Sequence, residues 1–388
     1  MRDTRTLGRS AAKSTAKTVA KTVATAAALA CSAFAAQAQS NVTMYGVIDQ
    51  YINYMHSSSG RSLKSLEDGA YLRSRIGFRG TEDLGDGLVA KFQLEGGFSA
   101  DNGVSADTTR TFIDRQSWVG IGTPTLGEFR VGRQNGPIQA RGGYIDYTAR
   151  DLGSMINNFG VPSRYDNDFG YISPRWSGFQ FEGHVALPES PVGNNPIVYQ
   201  ASFDYAFDAY RVGYMGIRGR PPKNAVIDKD MVYDNVYANW SYGKGTVYLA
   251  YVHSNNVTKT AVSNTAGSIV SNVGGYNAGT NPDLRNFYDI WQVSADYRVT
   301  EVLRVGALWG QIRDKSGRDQ GASGGSIGAY YDLSKRTMLL ALIDTIHNDT
   351  NGGWRPAGSA GLKTNFSNPA DVNGRTINGV QLGIVHRF

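Results

Sequence analysis

The chain has 388 residues, with 47 Gly, 22 Tyr, 15 Phe, 6 Trp and a single Cys. Glycine at about 12% exceeds the usual ~7% without a Gly-X-Y period, which excludes a collagen, and this aromatic content excludes an intrinsically disordered chain. The formal charge of +6 does not mark a nucleic-acid binder: residues 1–38 hold Arg2, Arg5, Arg9, Lys13, Lys17 and Lys21 against Asp3, while the remainder carries 33 basic and 32 acidic residues.

The N-terminus reads as a secretory signal peptide: a basic stretch, a weakly apolar run from Val19 to Ala36, and the small-x-small site Ala36-Gln37-Ala38, with cleavage expected after Ala38. A soluble Ala-rich helix is the alternative, but it lacks acids to pair the lysines. A lipoprotein reading around Cys31 is weaker, because the cleavage site follows closely. The expected division is residues 1–38 as signal and 39–388 as one domain. The mature chain then has no Cys, so disulfides cannot supply its stability. Past residue 38 the longest apolar run is about Met338–Ile343, far short of the ~18 residues of a spanning helix.

From Asn41 onward the dominant pattern is period-two alternation in segments of about ten residues, a strand signal. In the stretch 71–80, Leu72, Ile76 and Phe78 point one way and Arg73, Arg75 and Arg79 the other. Next, Leu88, Ala90, Phe92 and Leu94 oppose Lys91, Gln93 and Glu95. In the last segment Val380, Leu382, Ile384, His386 and Phe388 share a face opposite Gln381, Gly383, Val385 and Arg387. Compact turns at 84–87, 124–127, 177–178, 207–209, 243–245, 300–302 and 334–336 carry Gly, Asp and Pro chemistry. They alternate with longer polar stretches near 57–69, 99–110, 137–164, 188–196, 221–230, 257–285, 315–323 and 349–374. Seven turns and eight loops make sixteen strands, with both termini on the short-turn side.

Two all-β architectures compete. A soluble sandwich buries its apolar face between stacked sheets. A transmembrane barrel turns that face to lipid and the polar face to a lumen, which accommodates mid-strand arginines without buried charge and matches the asymmetric connections. The pattern therefore predicts an all-β, 16-stranded antiparallel transmembrane β-barrel with short periplasmic turns and long outer loops.

Catalytic motifs fail on context. Gly321-Ala322-Ser323-Gly324-Gly325 fits G-x-S-x-G but is read as a Gly-rich loop with no following helix. The five His form no HExxH or HxH pair. Asp166-Asn167-Asp168 lacks the Gly and closing Glu of a calcium loop, and Glu82-Asp83 reads as a solvated turn. No catalytic residue, metal or cofactor is expected.

Several segments carry a resemblance: Val42–Asp49, Ser74–Gly87, Arg115–Gly120, Val131–Gln134, Ser173–Phe179 and the terminal Gly383–Phe388. Over residues 41–388 the chain resembles the trimeric general-diffusion porins of Gram-negative outer membranes, especially the beta-proteobacterial type. The resemblance implies a homotrimer packed through the first and last strands, a third loop (137–164) folded into the lumen, and a terminal Phe388 read as the insertion signal by the barrel-assembly machinery. It also implies a constriction in which Arg75 and Arg115 face loop carboxylates, here Asp146 and Asp151. Arg73 joins that cluster by strand parity alone, and Arg130 more weakly. The chain departs from the family near Asn167-Asp168-Phe169-Gly170, where a small residue and an Arg are commoner, and this bears on the base of the third loop.

The implied function is passive diffusion of ions and small hydrophilic solutes across the outer membrane, with mild anion preference from the excess of arginine. The implied surroundings are outer-membrane lipid and lipopolysaccharide. For Arg75 and Arg115 the competing role is a salt bridge that merely braces the wall. The competing functions are a plugged barrel acting as an adhesin or structural protein, and a soluble exported β protein.

Overall fold

A computed structural model describes residues 41–105, 112–160, 163–187, 197–220, 230–255, 286–359 and 366–388. The expected signal peptide with Cys31 and the loops at 188–196 and 257–285 lie outside the described residues. Seventeen strand segments form one sheet: β1 (Asn41–Ser57), β2 (Ser62–Asp68), β3 (Arg75–Gly85), β4 (Leu88–Gly97), β5 (Gln116–Thr123), β6 (Gly127–Asn135), β7 (Arg164–Ile172), β8 (Phe179–Ala186) and β9 (Ile197–Phe207). They continue as β10 (Tyr210–Arg220), β11 (Met231–Ser241), β12 (Thr246–Ser254), β13 (Tyr288–Arg298), β14 (Leu303–Asp314), β15 (Ala322–Asp332), β16 (Thr337–Asn348) and β17 (Thr376–Arg387).

Every neighbouring pair is antiparallel, and β17 returns to β1 in the register Val47 to Arg387 through Ser57 to Ile377. The barrel is closed by strands 1 and 17, with Gly46 and Phe388 exchanging both backbone hydrogen bonds at 3.0 and 3.1 Å. β2 and β3 occupy a single position, since β1 pairs with β2 through Gln50–His56 and with β3 through Asn41–Val47. The circumference therefore holds sixteen strands. The expected loop at 57–69 is corrected here, because most of it is strand β2. The break between the two segments has a local cause: the Asp49 carboxylate accepts hydrogen bonds from the backbone N–H groups of Ala70, Tyr71 and Leu72 at 3.1, 2.7 and 2.6 Å. Those three groups are thereby withdrawn from the ladder.

The alternation read from the sequence becomes an inside-out distribution. Ile52, Ile327 and Ile343 are more than 60% exposed, as befits side chains that face hydrocarbon, whereas Asp49, Asn53, Gln292, Asp344 and Gln381 are buried on the inner face. The short turns are tight hairpins. At Ser177-Gly178 both residues have positive φ (46° and 90°), the geometry of a type I′ turn, and Trp176 and Phe179 exchange hydrogen bonds at 2.8 Å. The G-x-S-x-G match is also corrected: Ala322–Gly325 belong to β15, not to a loop. Asp166-Asn167-Asp168 likewise lie within β7, where a register shift opposite Gly132 and Gln134 accompanies φ of 52° at Asn167.

The third outer loop turns inward. After β6 it forms a short helix α1 (Pro137–Ala140), a 3-10 turn (Gly142–Tyr144) and a second helix α2 (Met155–Phe159). Ile138, Ile145, Leu152, Met155, Ile156 and Phe159 are all buried, forming a small apolar core inside the barrel. Each such side chain contributes about 1.5–3 kcal/mol, which supports a segment of low intrinsic helical stability. α2 starts on a Ser154 cap whose Oγ accepts from Asn157 N–H.

Candidate channel and constriction

The loop docks on the β13–β15 wall through polar side chains and glycine gaps. Gln292 of β13 donates to Asp146 Oδ2 at 2.7 Å and accepts from Ile156 N–H at 3.2 Å. Tyr147 Oη lies 2.9 Å from Ser326 Oγ of β15, and Arg304 Nη1 donates to the Tyr147 carbonyl at 2.8 Å. A Cβ on Gly306 would sit 2.2 Å from the Tyr147 ring, so only glycine admits the loop at this contact. From above, Asn157 donates to the Ala357 carbonyl at 2.7 Å, and Phe159 packs against Tyr288 and Trp354 with ring centroids 5.5 and 5.7 Å apart.

On the other side of the loop a polar recess of about 750 Å³ remains, lined by Arg75, Arg79, Arg115, Arg130, Arg141 and Arg387 against Glu95 and Glu182. Six guanidinium groups against two carboxylates leave an excess of positive charge. Gln93, Gln116, Gln139, Gln180 and Asn135 complete the polar lining, and Tyr45 and Tyr144 add aromatic faces. A second recess of about 350 Å³ behind the loop holds Arg304, Arg298 and Lys244 with Asp296 and Asp146.

Each expected site residue has a definite position. Arg75 and Arg115 converge on one carboxylate, with Nε atoms 3.3 and 2.7 Å from Glu95. Arg130 pairs with Glu128 and stacks over Trp118 at 4.2 Å, on the same wall. Arg73 lies in the interruption between β2 and β3, where strand parity no longer holds; Leu72, not Arg73, lines the recess. Asp146 is turned into the loop. Its carboxylate accepts from Thr148 N–H, Thr148 Oγ1, Arg150 N–H, Ser154 Oγ and Gln292 Nε2 at 2.7–2.9 Å, so it organises the loop instead of facing water. Asp151 is 8% exposed, and burial holds its carboxyl well above the ordinary carboxylate range, against the pull of Arg150 and with the charges of Asp49 and Asp146 adding to the shift. Asp146 is thus committed to the loop's own packing, while Asp151, though buried, stays near enough to Arg75 for their charges to interact. Phe388 faces outward with its ring over Gly46.

On the β8 side the loop meets the wall through Arg141, whose guanidinium pairs with Glu182. Glu182 also lies 2.9 Å from His184 Nε2, and His184 Nδ1 lies 2.7 Å from Asp168. Both ring nitrogens face carboxylate oxygens, an arrangement satisfied when both carry protons. This chain of four buried groups ties the loop to β7 and β8 at the place where the sequence departs from the family pattern. Glu182 and His184 are inward-facing by strand parity; Arg141, in an aperiodic loop, gave no signal.

A closed antiparallel barrel with an apolar outside, a charged inside and one loop folded inward defines a transmembrane channel of the outer-membrane type. Residues 24–351 match the Gram-negative porin family. The chain belongs to that family and is an outer-membrane porin. It is 31% identical to an outer membrane porin protein of Bordetella pertussis over 81% of this chain and 90% of that protein. It is 27% identical to outer membrane porin protein 32 of Delftia acidovorans, covering 91% and 96% of the two chains. In fold it is similar to the anion-selective porin from Comamonas acidovorans (TM-score 0.67, 20% identity, 90% and 100% covered) and to a trimer form of OmpT from Vibrio cholerae (0.61, 16%, 90% and 99%). The Bordetella, Delftia and Comamonas proteins are porins, not enzymes.

Proposed function

We propose that this porin passes ions and small hydrophilic solutes with a preference for anions, and that the third loop and the arginine-bearing wall of β3–β6 form its narrowest part. The excess of six guanidinium groups over two carboxylates around the recess carries the reading, since a charged, low-dielectric passage lowers the barrier for the opposite sign. The similar Comamonas porin is described as anion-selective, which agrees with that sign. Arg79 is exposed, stands 5.3 Å over the Tyr45 ring, and has no ion pair among the described residues. It is the cation most open to a passing solute. Arg75 and Arg115 share Glu95 and contribute one net positive charge together. Asp146 shapes the loop, and Asp151 is buried within it. Arg73 and Arg130 act on the field from the edge of the recess.

A homotrimer is proposed from the OmpT trimer form and from the exposed apolar residues Ile48, Ile52, Leu382 and Ile384 on β1 and β17. We further propose Phe388 as the signal read by the assembly machinery, residues 1–38 as the cleaved signal, and 39–388 as one domain.

Reversal potentials in planar bilayers under a KCl gradient test the selectivity. The wild type is expected to favour chloride, and Arg79→Gln, Arg75→Ala and Arg115→Ala are each expected to move the potential toward the cation side. A wild-type potential of cation sign, or three variants identical to it, would refute the proposal.

A further inference from the structure

The four buried groups at the root of the third loop are built for more than packing. Glu182 and His184 take the buried positions of β8, in alternation with half-buried Phe181, Gly183 and Val185. Asp168 reaches the same point from β7, and Gly170 opens the space for the ring: a Cβ there would sit 2.6 Å from His184 Cε1. Arg141 comes from the loop, where it joins α1 to the 3-10 turn. Its N–H donates to the Pro137 carbonyl at 3.1 Å and its carbonyl accepts from Tyr144 N–H at 3.0 Å. All four residues are at most 5% exposed.

The connections leave no spare cation. Glu182 gives one oxygen to Arg141 and the other to His184. Asp168 Oδ2 faces His184 Nδ1, and Asp168 Oδ1 has no hydrogen-bond partner among the described residues. The neighbours from the flanking strands are neutral. Gln200 of β9 stands opposite His184 in the ladder, and Gln134 of β6 donates to the Asp168 carbonyl at 3.2 Å. Farther along β7, Asp166 pairs with Arg133 at 2.6 Å. Two carboxylates, one guanidinium and one imidazole therefore balance only while both ring nitrogens carry protons. A neutral ring donates to one carboxylate alone and leaves a buried negative charge without a partner, a costly state. Arg141 and Glu182 line the arginine-rich recess, so the net charge of the group acts on the passage across a low-dielectric wall.

We propose that His184 is a positioning residue for the channel: its proton holds Arg141 and the root of the third loop against β8, and loss of that proton as the pH rises lowers the anion preference. The protonated group is neutral and fixed. The deprotonated group carries one net negative charge beside the recess, and Asp168 and Glu182 repel each other across the ring. The inference rests on the proposed anion preference, whose sign the wild-type reversal potential at neutral pH reads separately.

Reversal potentials of the purified full chain in planar bilayers test it, recorded under a KCl gradient from mildly acid to alkaline solution. The wild type is expected to step toward the cation side as the pH rises. His184→Gln keeps polar atoms in place of the ring but does not titrate. Its potential at neutral pH is expected on the cation side of the wild type's, and the step is expected to vanish. The other titrating groups are common to both channels, so the difference between the two profiles belongs to His184. Adding Asp168→Asn removes the unpartnered carboxylate, and the double variant is expected to return to the wild-type potential at neutral pH, still without the step. A mere brace predicts the opposite, since a second lost contact would loosen the loop further. Gel mobility of unheated samples shows that each barrel is folded; should the single variant fail to fold, the double variant, with its charges balanced, carries the comparison. A step of equal size in the wild type and the variants, or a double variant shifted as far as the single one, would overturn the proposal. A wild-type potential of cation sign with the His184-dependent step intact would refute the selectivity reading and still support the role of His184.

Discussion

At the residue scale, the chemistry of the channel turns on which charges are free and which are committed. Asp146 accepts five hydrogen bonds within 2.9 Å, so Asp146→Asn places an NH₂ among donors and should cost about 1–3 kcal/mol. The expected readout is a noisier open channel and faster proteolysis within 137–163. Burial pushes the Asp151 carboxyl well above the ordinary carboxylate range, and Asp151→Asn is expected to move the reversal potential at neutral pH less than Arg79→Gln does. A clear shift toward anions in that variant would show that the carboxylate is ionised. His184 stands between Asp168 and Glu182, and His184→Ala leaves two carboxylates facing each other in a buried site, a change worth about 3–5 kcal/mol. Thermal loss of the folded band in unheated gels should begin at a lower temperature in this variant. Parity along a strand makes Glu95, Arg79 and Arg387 legible as lumen residues from the sequence alone. It fails at Arg73, because Asp49 captures the backbone at 70–72, a contact between residues more than twenty positions apart.

At the element scale, the third loop is the part whose position depends least on local sequence. Its helices are four and five residues long, too short to persist alone, and they hold because six apolar side chains meet inside the barrel and because β14 and β15 offer glycines at the contact. Gly306→Ala places a methyl 2.2 Å from the Tyr147 ring, an overpacking worth about 1–3 kcal/mol. The loop should shift away from β14, and single-channel conductance should change while the barrel's thermal stability stays near that of the wild type. Conductance equal to the wild type's would mean that the loop does not border the current path. The strands are the opposite case. Their alternation, the type I′ chemistry of Ser177-Gly178 and the outward Phe388 were readable directly, since a one-residue slip would move every apolar side chain from lipid to lumen. Strand β2 was not readable, because Ser62–Asp68 mixes Lys64, Glu67 and Asp68 with only two leucines and owes its form to pairing with β1.

At the scale of the whole molecule, the distribution of polarity is the reverse of a soluble protein's, and this decides between the two all-β architectures that the alternation leaves open. Large apolar side chains cover the outside, charges line the inside, and the closed sheet leaves no free edge in the membrane. The mid-strand arginines and uneven connections already pointed to an apolar outside and a polar lumen, and ring closure between β1 and β17 shows it directly. The net charge of the lumen was hidden, since it depends on Arg141 reaching Glu182 and on Asp146 folding into the loop. The most direct test of an open channel is the current through the purified full chain in a planar bilayer. Stepwise, lasting increments that scale with salt concentration are expected. Stable insertion of the folded barrel without current would contradict the account and point to a plugged barrel.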